Sequence, residues 1–167
     1  MAASVNASRI LRPARRADVQ ALTMIRRDAI LSLATPEMGG ERARAWADSS
    51  ADERVHRAIE QNEVWVAEQE NAIVGWVEID RGRVEGMYVR PDVSGGGIGS
   101  TLLLHAEGLI RSAGHGAVAL DASPNAEQFY LQRGYQAQEQ RPEDKGCSML
   151  KPLRGTAAQQ GVEPDVE

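Results

Sequence analysis

Residues 84–110 read VEGMYVRPDVSGGGIGSTLLLHAEGLI, and this stretch decides how the rest of the chain is interpreted. Residues 84–89 form a short strand-like run that ends in Met-Tyr-Val, and Pro91 just after it stops further strand pairing. Residues 98–113 place apolar side chains three and four positions apart, which is typical of a helix with one buried face. Between them, residues 90–97 end in three glycines. The stretch therefore predicts a strand, a glycine-rich turn and a helix in succession.

The glycine-rich turn predicts a site for an anion. Three consecutive glycines cost conformational entropy, so they are expected where the backbone must approach another group closely. A helix start offers unpaired N–H donors and the positive end of the helix dipole, which together suit a phosphate. A tight turn without a ligand is an equally weighted alternative. Two known phosphate motifs fail, because no lysine follows Gly99 as in a P-loop and a dinucleotide fingerprint starting at Gly95 or Gly97 lacks its last glycine.

Composition places the chain among globular proteins of one domain. It has 167 residues, of which 42% are hydrophobic and 26% charged. The net charge of −5 argues against nucleic acid as a partner, since such binding asks for a basic face. Cys147 is the only cysteine, so no internal disulfide can form, and the histidines show no metal-binding spacing. With no apolar run of membrane-spanning length and no secretory signal pattern, a cytoplasmic location without a membrane partner is expected.

The pattern of the remaining chain alternates helices and strands. Residues 1–8 are expected to be disordered, and residues 154–167 to form a flexible acidic tail. Strands are predicted over residues 9–12, 63–68, 73–80, 84–89, 117–121, 135–140 and 147–150. Helices are predicted from Asp18 to before Thr35, over residues 41–47, 52–61 and 98–113, and from Ser123 to about Arg133. A turn around Asn71 joins two of the strands as a hairpin, and the strand after residue 113 should pair in parallel with the 84–89 strand through a crossover.

Two sequence blocks resemble the GNAT family, the GCN5-related N-acetyltransferases. Gly97 and Gly99 match the pattern Gln/Arg-x-x-Gly-x-Gly/Ala of the family's acetyl-CoA pyrophosphate loop, whereas Ser94 departs from the Gln or Arg at its first position. Residues 120–135, LDASPNAEQFYLQRGY, look like the family's second block. The resemblance covers residues 9–153 and is closest to a bacterial subgroup of small acetyltransferases. It implies an α/β fold of the α+β kind, with a central mixed, mostly antiparallel sheet flanked by helices.

The resemblance also implies which residues bind acetyl-CoA, the expected cosubstrate. Strand backbone would pair with the pantetheine arm, loop N–H groups would take the pyrophosphate, and Asn125 would hydrogen-bond the arm. The residues implied are Met87, Tyr88, Val89, Ser94, Gly95, Gly96, Gly97, Ile98, Gly99, Ser100, Asn125 and Tyr130. Sheet core is the alternative for Met87 and Val89, and a helix first turn is the alternative for Asn125.

Two side chains are candidates for moving protons. Tyr130 matches the family tyrosine that protonates the departing thiolate, and a phenol with a pKa of about 10 holds its proton at neutral pH. A core aromatic beside Phe129 is the alternative role. Glu85 lies where the family often places a general base, with Glu78 as second choice, although either could be a solvated strand carboxylate. Regular alternation would put Glu85 on the face that carries Met87.

The expected activity is direct transfer of an acetyl group from acetyl-CoA to a primary amine, without a metal. The acceptor is expected to be a small molecule rather than a protein, and a cationic one, because residues 32–41 and 138–146 carry several carboxylates. A non-catalytic acyl-CoA-binding sensor on the same fold is the main alternative. A nucleotide-binding α/β protein is the third, and it is disfavoured by the failed glycine motifs. The chain could be a monomer or a homodimer.

Overall fold

The computed structural model of the chain describes residues 8–33, 51–138 and 147–154. Within them the strands are β1 (Arg9–Pro13), β2 (Glu63–Gln69), β3 (Ala72–Asp80), β4 (Arg83–Val89), β5 (Ala117–Ala122), β6 (Gln136–Ala137) and β7 (Cys147–Pro152). These seven strands form one sheet in the order β1-β2-β3-β4-β5-β7-β6. Only β4 and β5 pair in parallel, and the other described neighbours are antiparallel. The predicted mixed, mostly antiparallel sheet is confirmed, including the parallel pair.

Helices cover both faces of this sheet. The described helices are α1 (Val19–Leu33), α2 (Ala51–Gln61), α3 (Ile98–Ser112) and α4 (Glu127–Leu131). On one face, Leu102, Leu103 and Ile110 of α3 are at most 1% exposed and pack against Val77 and neighbouring strand residues. Burial of each such aliphatic side chain stabilises the folded state by about 1.5–3 kcal/mol. These three side chains therefore hold α3, including its first turn, against the sheet.

The other face carries α1 and α2. Val19, Leu22 and Ile25 of α1 pack with Val55 of α2 around Trp76, which is fully buried. The indole Nε1 of Trp76 donates to the carbonyl oxygen of Leu22 at 3.1 Å. The helical stripe predicted after Asp18 is therefore confirmed as the buried side of α1, over the residues whose side chains are described.

The first hairpin follows from two residues in the left-handed region. Glu70 and Asn71 have φ of 52° and 63°, and they join β2 to β3 as a two-residue turn. Positive φ at both central positions is the signature of a type I′ turn, whose twist matches that of the strands. The predicted turn at Asn71 is confirmed. Arg81, with φ of 55°, turns the chain from β3 into β4.

Three local predictions differ from the structure. The segment after Ser123 is a single 3-10 turn, Pro124–Ala126, followed by the five-residue α4, and the Ser123 side chain makes no capping hydrogen bond. Of the strand expected over residues 135–140, the structure describes residues 135–138, and the strand there is the two-residue β6. Strand β4 contains a bulge that changes which residues share a face. The predictions for residues 1–7, 34–50, 139–146 and 155–167 lie outside the described residues.

Among the described residues, no helix has both the length and the apolar character needed to cross a membrane.

Candidate active site

The glycine loop lies where β4 ends and α3 begins. After β4 the chain makes a 3-10 turn over Pro91–Val93, and Ser94 to Gly97 then lead into α3. Gly95 and Gly97 have φ of 86° and 83°, which side chains with a Cβ rarely adopt. The carbonyl oxygen of Gly97 accepts hydrogen bonds from both the backbone N and the Oγ1 of Thr101, each at 3.0 Å. The glycines therefore allow a turn that the first turn of α3 then holds in place.

This loop presents unpaired N–H groups at a helix start. The N–H groups of Gly97, Ile98, Gly99 and Ser100 find no acceptor among the described residues. They lie at the positive end of the 15-residue helix α3, which favours an anion there. The Ser94 hydroxyl donates to the carbonyl oxygen of Pro91 at 3.0 Å, so it is engaged within the loop. The loop therefore has backbone N–H groups that are available to an anion, whereas the side chain at position 94 is engaged within the loop.

A gap opens between β4 and β5 beside this loop. The two strands pair at only two positions, Arg83 with Ala119 and Val84 with Leu120. From residue 86 to residue 89, β4 is paired with β3 alone, and Glu85 is paired with neither strand. The unpaired edge of β4 therefore faces an opening, here called the β4–β5 gap. The glycine loop lies at the end of this gap where β4 ends.

Backbone groups of Met87 and Val89 point into the β4–β5 gap. The N–H of Arg90 donates to the carbonyl oxygen of Val74 on β3 at 2.8 Å. In an antiparallel ladder the bonded positions alternate, so Tyr88 also bonds β3, whereas the N–H and C=O of Met87 and Val89 face away from it. The side chains of Met87 and Val89 pack toward α3. These residues therefore belong to the sheet core through their side chains, while their backbone groups form a free strand edge.

Tyr130 is buried under the same end of the sheet. It lies on α4 with 7% of its surface exposed, its ring 5.1 Å from that of Phe129 and 5.5 Å from that of Tyr135. Burial raises the pKa of Tyr130 to about 12, the neighbouring Tyr88 phenol adds to the rise, and the Arg133 guanidinium opposes it. No described residue hydrogen-bonds its hydroxyl. Tyr130 is therefore a protonated donor whose hydroxyl has no protein acceptor in this part of the chain.

The second block brings further groups to the helix start. Asn125 is exposed in the 3-10 turn that follows β5, so it borders the gap on the side opposite β4. Arg133 stacks on the Phe129 ring at 3.6 Å and donates to Ser100 Oγ at 2.6 Å, which ties α4 to the first turn of α3. A Cβ on Gly99 would lie 3.4 Å from Phe129 Cζ, so the first turn of α3 lies close to the Phe129 ring. Sequence reasoning did not single out Arg133.

Glu85 does not share a face with Met87, contrary to the expectation from regular alternation. On β3, Glu78 and Ile79 are consecutive, but their partners on β4 are Gly86 and Val84, so Glu85 is the extra residue of a bulge. The bulge leaves Val84, Met87 and Val89 packed toward α3, while Glu85 lies on the opposite face of the sheet.

Its carboxylate lies in a chain of charged and polar side chains on that face. Arg83 Nε lies 3.2 Å from Glu85 Oε1, and Arg83 Nη2 lies 3.0 Å from Asp121 Oδ2. Ser148 Oγ donates to the other oxygen of Asp121 at 2.7 Å. Glu85 is about one-third exposed and borders the β4–β5 gap, so water can reach it.

Glu78, the second candidate base, is buried and has two partners. It is 4% exposed, accepts a 2.7 Å hydrogen bond from Asn62 Nδ2, and its second oxygen lies 3.1 Å from Arg54 Nη1. That second contact is an ion pair without the alignment of a hydrogen bond. The buried Glu78 carboxylate already has an amide and a guanidinium as partners, which compensate for its removal from water. It is therefore less suited than Glu85 to take a proton from a substrate.

The sequence of the chain matches one family model. The model describes an acetyltransferase (GNAT) domain and matches residues 34–151. The chain belongs to the GNAT family of acetyltransferases. A search of curated protein sequences found no significant match.

Solved structures share the fold of this GNAT protein. A GCN5-related N-acetyltransferase of Rhodopseudomonas palustris superposes with a TM-score of 0.81 at 24% identity, covering 90% of this chain and 100% of its own. The PaiA N-acetyltransferase of Thermoplasma acidophilum, solved in complex with coenzyme A, gives 0.70 at 18% identity, covering 87% and 99%. YncA of Salmonella typhimurium, solved with its cofactor acetyl-CoA, gives 0.64 at 22% identity, covering 90% and 96%. These likenesses show the fold.

In this GNAT protein most candidate site residues meet at one end of the sheet. The glycine loop, the free edge of β4 and the second block with Asn125 and Tyr130 surround the β4–β5 gap. Glu85 borders the gap from the other face, whereas Glu78 lies on the neighbouring strand β3, opposite Gly86, and is bonded to Asn62. The carboxylates at positions 37, 41, 139, 143 and 144, expected to face an acceptor, lie outside the described residues.

Proposed function

We propose that this GNAT protein transfers the acetyl group of acetyl-CoA to the primary amine of a small cationic molecule, by direct transfer in a ternary complex. The observation that carries this proposal is the β4–β5 gap, which has an anion-binding loop at one end and a buried phenol beside it. Carboxylates of Glu85 and Asp121 on the face opposite that phenol favour a positively charged acceptor.

The chain has groups that fit the pyrophosphate, the pantetheine arm and the thioester of acetyl-CoA. The N–H groups of Gly97 to Ser100 would hold the pyrophosphate, and the free edge of β4 would pair with the pantetheine arm as an added strand would. Asn125 would bond the same arm from the β5 side. When bound there, acetyl-CoA supplies a thioester, which is an activated acyl donor. The N–H of Val89 points into the gap and would polarise the thioester carbonyl.

Proton transfer would be divided between the two faces of the sheet. An ammonium must lose a proton before it can attack, and Glu85 would take that proton, directly or through water. The hydroxyl of Tyr130 would donate a hydrogen bond to the departing sulfur on the α3 side. Its pKa of about 12 exceeds that of a thiol, about 8.5, so the phenol stabilises the developing thiolate before the acceptor's released proton neutralises it. The bulge at Glu85 supports this division, because it leaves Glu85 and Tyr130 on opposite faces of the sheet.

The test is a screen of amines in the presence of acetyl-CoA, read by the release of free thiol and by mass spectrometry of the products. Cationic small amines, amino acids and lysine-containing peptides are compared with anionic amines. The proposal expects turnover with small cationic amines, lost on Glu85→Gln at constant affinity for acetyl-CoA. Acetylation of anionic amines or peptides alone would reject the acceptor class. Binding of acetyl-CoA without acetylation of any amine would favour the non-catalytic sensor.

A further inference from the structure

Arg9 reaches the glycine loop from the opposite edge of the sheet. It is the first residue of β1, and its guanidinium Nη2 donates to the carbonyl oxygen of Gly96. Its Nη1 lies 3.4 Å from Thr101 Oγ1, and its Nε lies 3.4 Å from Gln69 Oε1. Two of these three contacts fall on the loop and on the first turn of α3, although Arg9 and Gly96 are 87 residues apart.

The contact with Gly96 determines where the next N–H points. In a trans peptide unit the C=O and the following N–H point in opposite directions. When Arg9 draws the carbonyl of Gly96 to the β1 side, the N–H of Gly97 is turned to the other side of the loop. Thr101 has a similar effect one peptide later, because its hydroxyl holds the carbonyl oxygen of Gly97. Since that hydroxyl also lies within reach of Arg9 Nη1, one guanidinium orients both peptide units.

The loop needs such support because its own side chains give none. The hydroxyl of Ser94, at the position where the family pattern has a long donor, is bonded to the carbonyl oxygen of Pro91. Gly95 and Gly97 have φ of 86° and 83°, and three successive glycines have the largest backbone entropy to lose when they are fixed. Arg9 also places a positive charge behind amides that would face an anion.

We propose that Arg9 is a positioning residue for the phosphates of acetyl-CoA: it holds the Gly96 and Gly97 peptides in their anion-binding orientation without touching the ligand. This inference rests on the proposed function for its ligand, but its first step, the ordering of the loop, concerns the free protein. A residue that acts in this way changes the affinity for the pyrophosphate and leaves the 3′-phosphate and the chemical step unaffected.

The experiment compares Arg9→Gln and Arg9→Lys with Arg16→Gln. Arg16 is an exposed cation of the same segment whose guanidinium lies 3.2 Å from Glu60, so its replacement changes the net charge equally but leaves the loop intact. Loss of one charge-assisted hydrogen bond corresponds to roughly a tenfold change in an equilibrium constant. Arg9→Gln should therefore raise KM and Kd for acetyl-CoA about tenfold at unchanged kcat, with equal penalties for acetyl-CoA and 3′-dephospho-acetyl-CoA. Arg9→Lys should recover part of the affinity, and Arg16→Gln should behave as wild type.

A second measurement is hydrogen exchange of residues 94–101 in the ligand-free protein, which should be faster in Arg9→Gln than in Arg16→Gln. Equal exchange in the two variants, or an unchanged KM, would overturn the proposal. A penalty that disappears with 3′-dephospho-acetyl-CoA would show that Arg9 binds the 3′-phosphate directly, which also overturns it. If wild type binds no acetyl-CoA but Arg9→Gln still loosens the loop, the proposed function fails and the positioning of the loop by Arg9 stands.

Discussion

Replacing Tyr130 with Phe removes one hydroxyl and keeps the aromatic packing with Phe129 and Tyr135. No described residue accepts or donates a hydrogen bond at that hydroxyl, so its loss leaves no partner unsatisfied in this part of the structure. The Tyr130 hydroxyl is not among the described polar atoms that are both buried and unpartnered, so Tyr130→Phe should have a free energy of unfolding within about 1 kcal/mol of the wild-type value. Any large loss of turnover then reports chemistry rather than folding.

The expected loss of turnover follows from the role of the hydroxyl as a donor to developing charge. Removal of one such donor typically lowers kcat by roughly 100- to 1000-fold. Free thiol release at saturating acetyl-CoA and amine measures kcat, and calorimetry on the same variant measures the affinity for acetyl-CoA, which should be unchanged. Because burial raises the pKa of Tyr130 to about 12, its deprotonation should cause no fall in the wild-type rate below about pH 11.

Tyr135→Phe is the matched control. Its hydroxyl donates to Glu107 Oε1 at 3.0 Å in the core, so this change should cost about 1–2 kcal/mol of the free energy of unfolding. The folded variant should keep its kcat, because Tyr135 borders α3 rather than the gap. Unchanged turnover in Tyr130→Phe would refute the reasoning, and so would an equal fall in both variants.

Three further predictions concern the loop and the stability of the fold. Gly97→Ala adds a Cβ at a position with φ of 83°, and this strain costs about 1–2 kcal/mol. The variant should bind acetyl-CoA more weakly than wild type in a titration. Gly116→Ala is the control, because its Cβ would meet open space, and its affinity should be unchanged. Lys151→Met leaves the buried carboxylate of Glu107 without its cation. Because the Lys151 side chain is 24% exposed, urea denaturation should show a loss of about 1–3 kcal/mol, which is less than for a fully buried pair and is partly recovered by adding Glu107→Gln; an unchanged midpoint would contradict this. The Arg12 guanidinium, which hydrogen-bonds Asp18, lowers the pKa of that carboxyl below its unfolded value. The stabilisation from this pair is therefore present above about pH 4 and lost as the pH falls further. Asp18→Asn should flatten that part of the profile of melting temperature against pH.

The glycine loop and the hairpin at Asn71 were predictable from sequence because their signals are local. Gly97 precedes a helix pattern, and Asn71 lies between two runs of strand periodicity, so each position reveals its backbone geometry without reference to the rest of the chain. The parallel pairing of β4 with β5 was also predictable, since a helix between two strands requires a crossover.

The bulge at Glu85 was not predictable in the same way. Its position depends on which pairing of β3 with β4 buries Val77 and Val84 together, and the sequence of one strand does not give the pairing with its neighbour. The contact of Arg9 with Gly96 joins segments that are distant in sequence and depends on the strand order, so no local pattern indicates it. The end of the turns that follow α4 is set locally by Gly134, which has φ of 93° and is followed by a hydrogen bond from the N–H of Tyr135 to the carbonyl oxygen of Tyr130.

The central claim is that backbone N–H groups at the start of α3 hold the phosphates of coenzyme A. Calorimetry of the full chain with coenzyme A and with pantetheine, which lacks those phosphates, tests it most directly. Saturable binding of one coenzyme A per chain is predicted, with pantetheine weaker by a factor of roughly 100 or more. No saturation with coenzyme A, or equal affinity for the two compounds, would contradict the account.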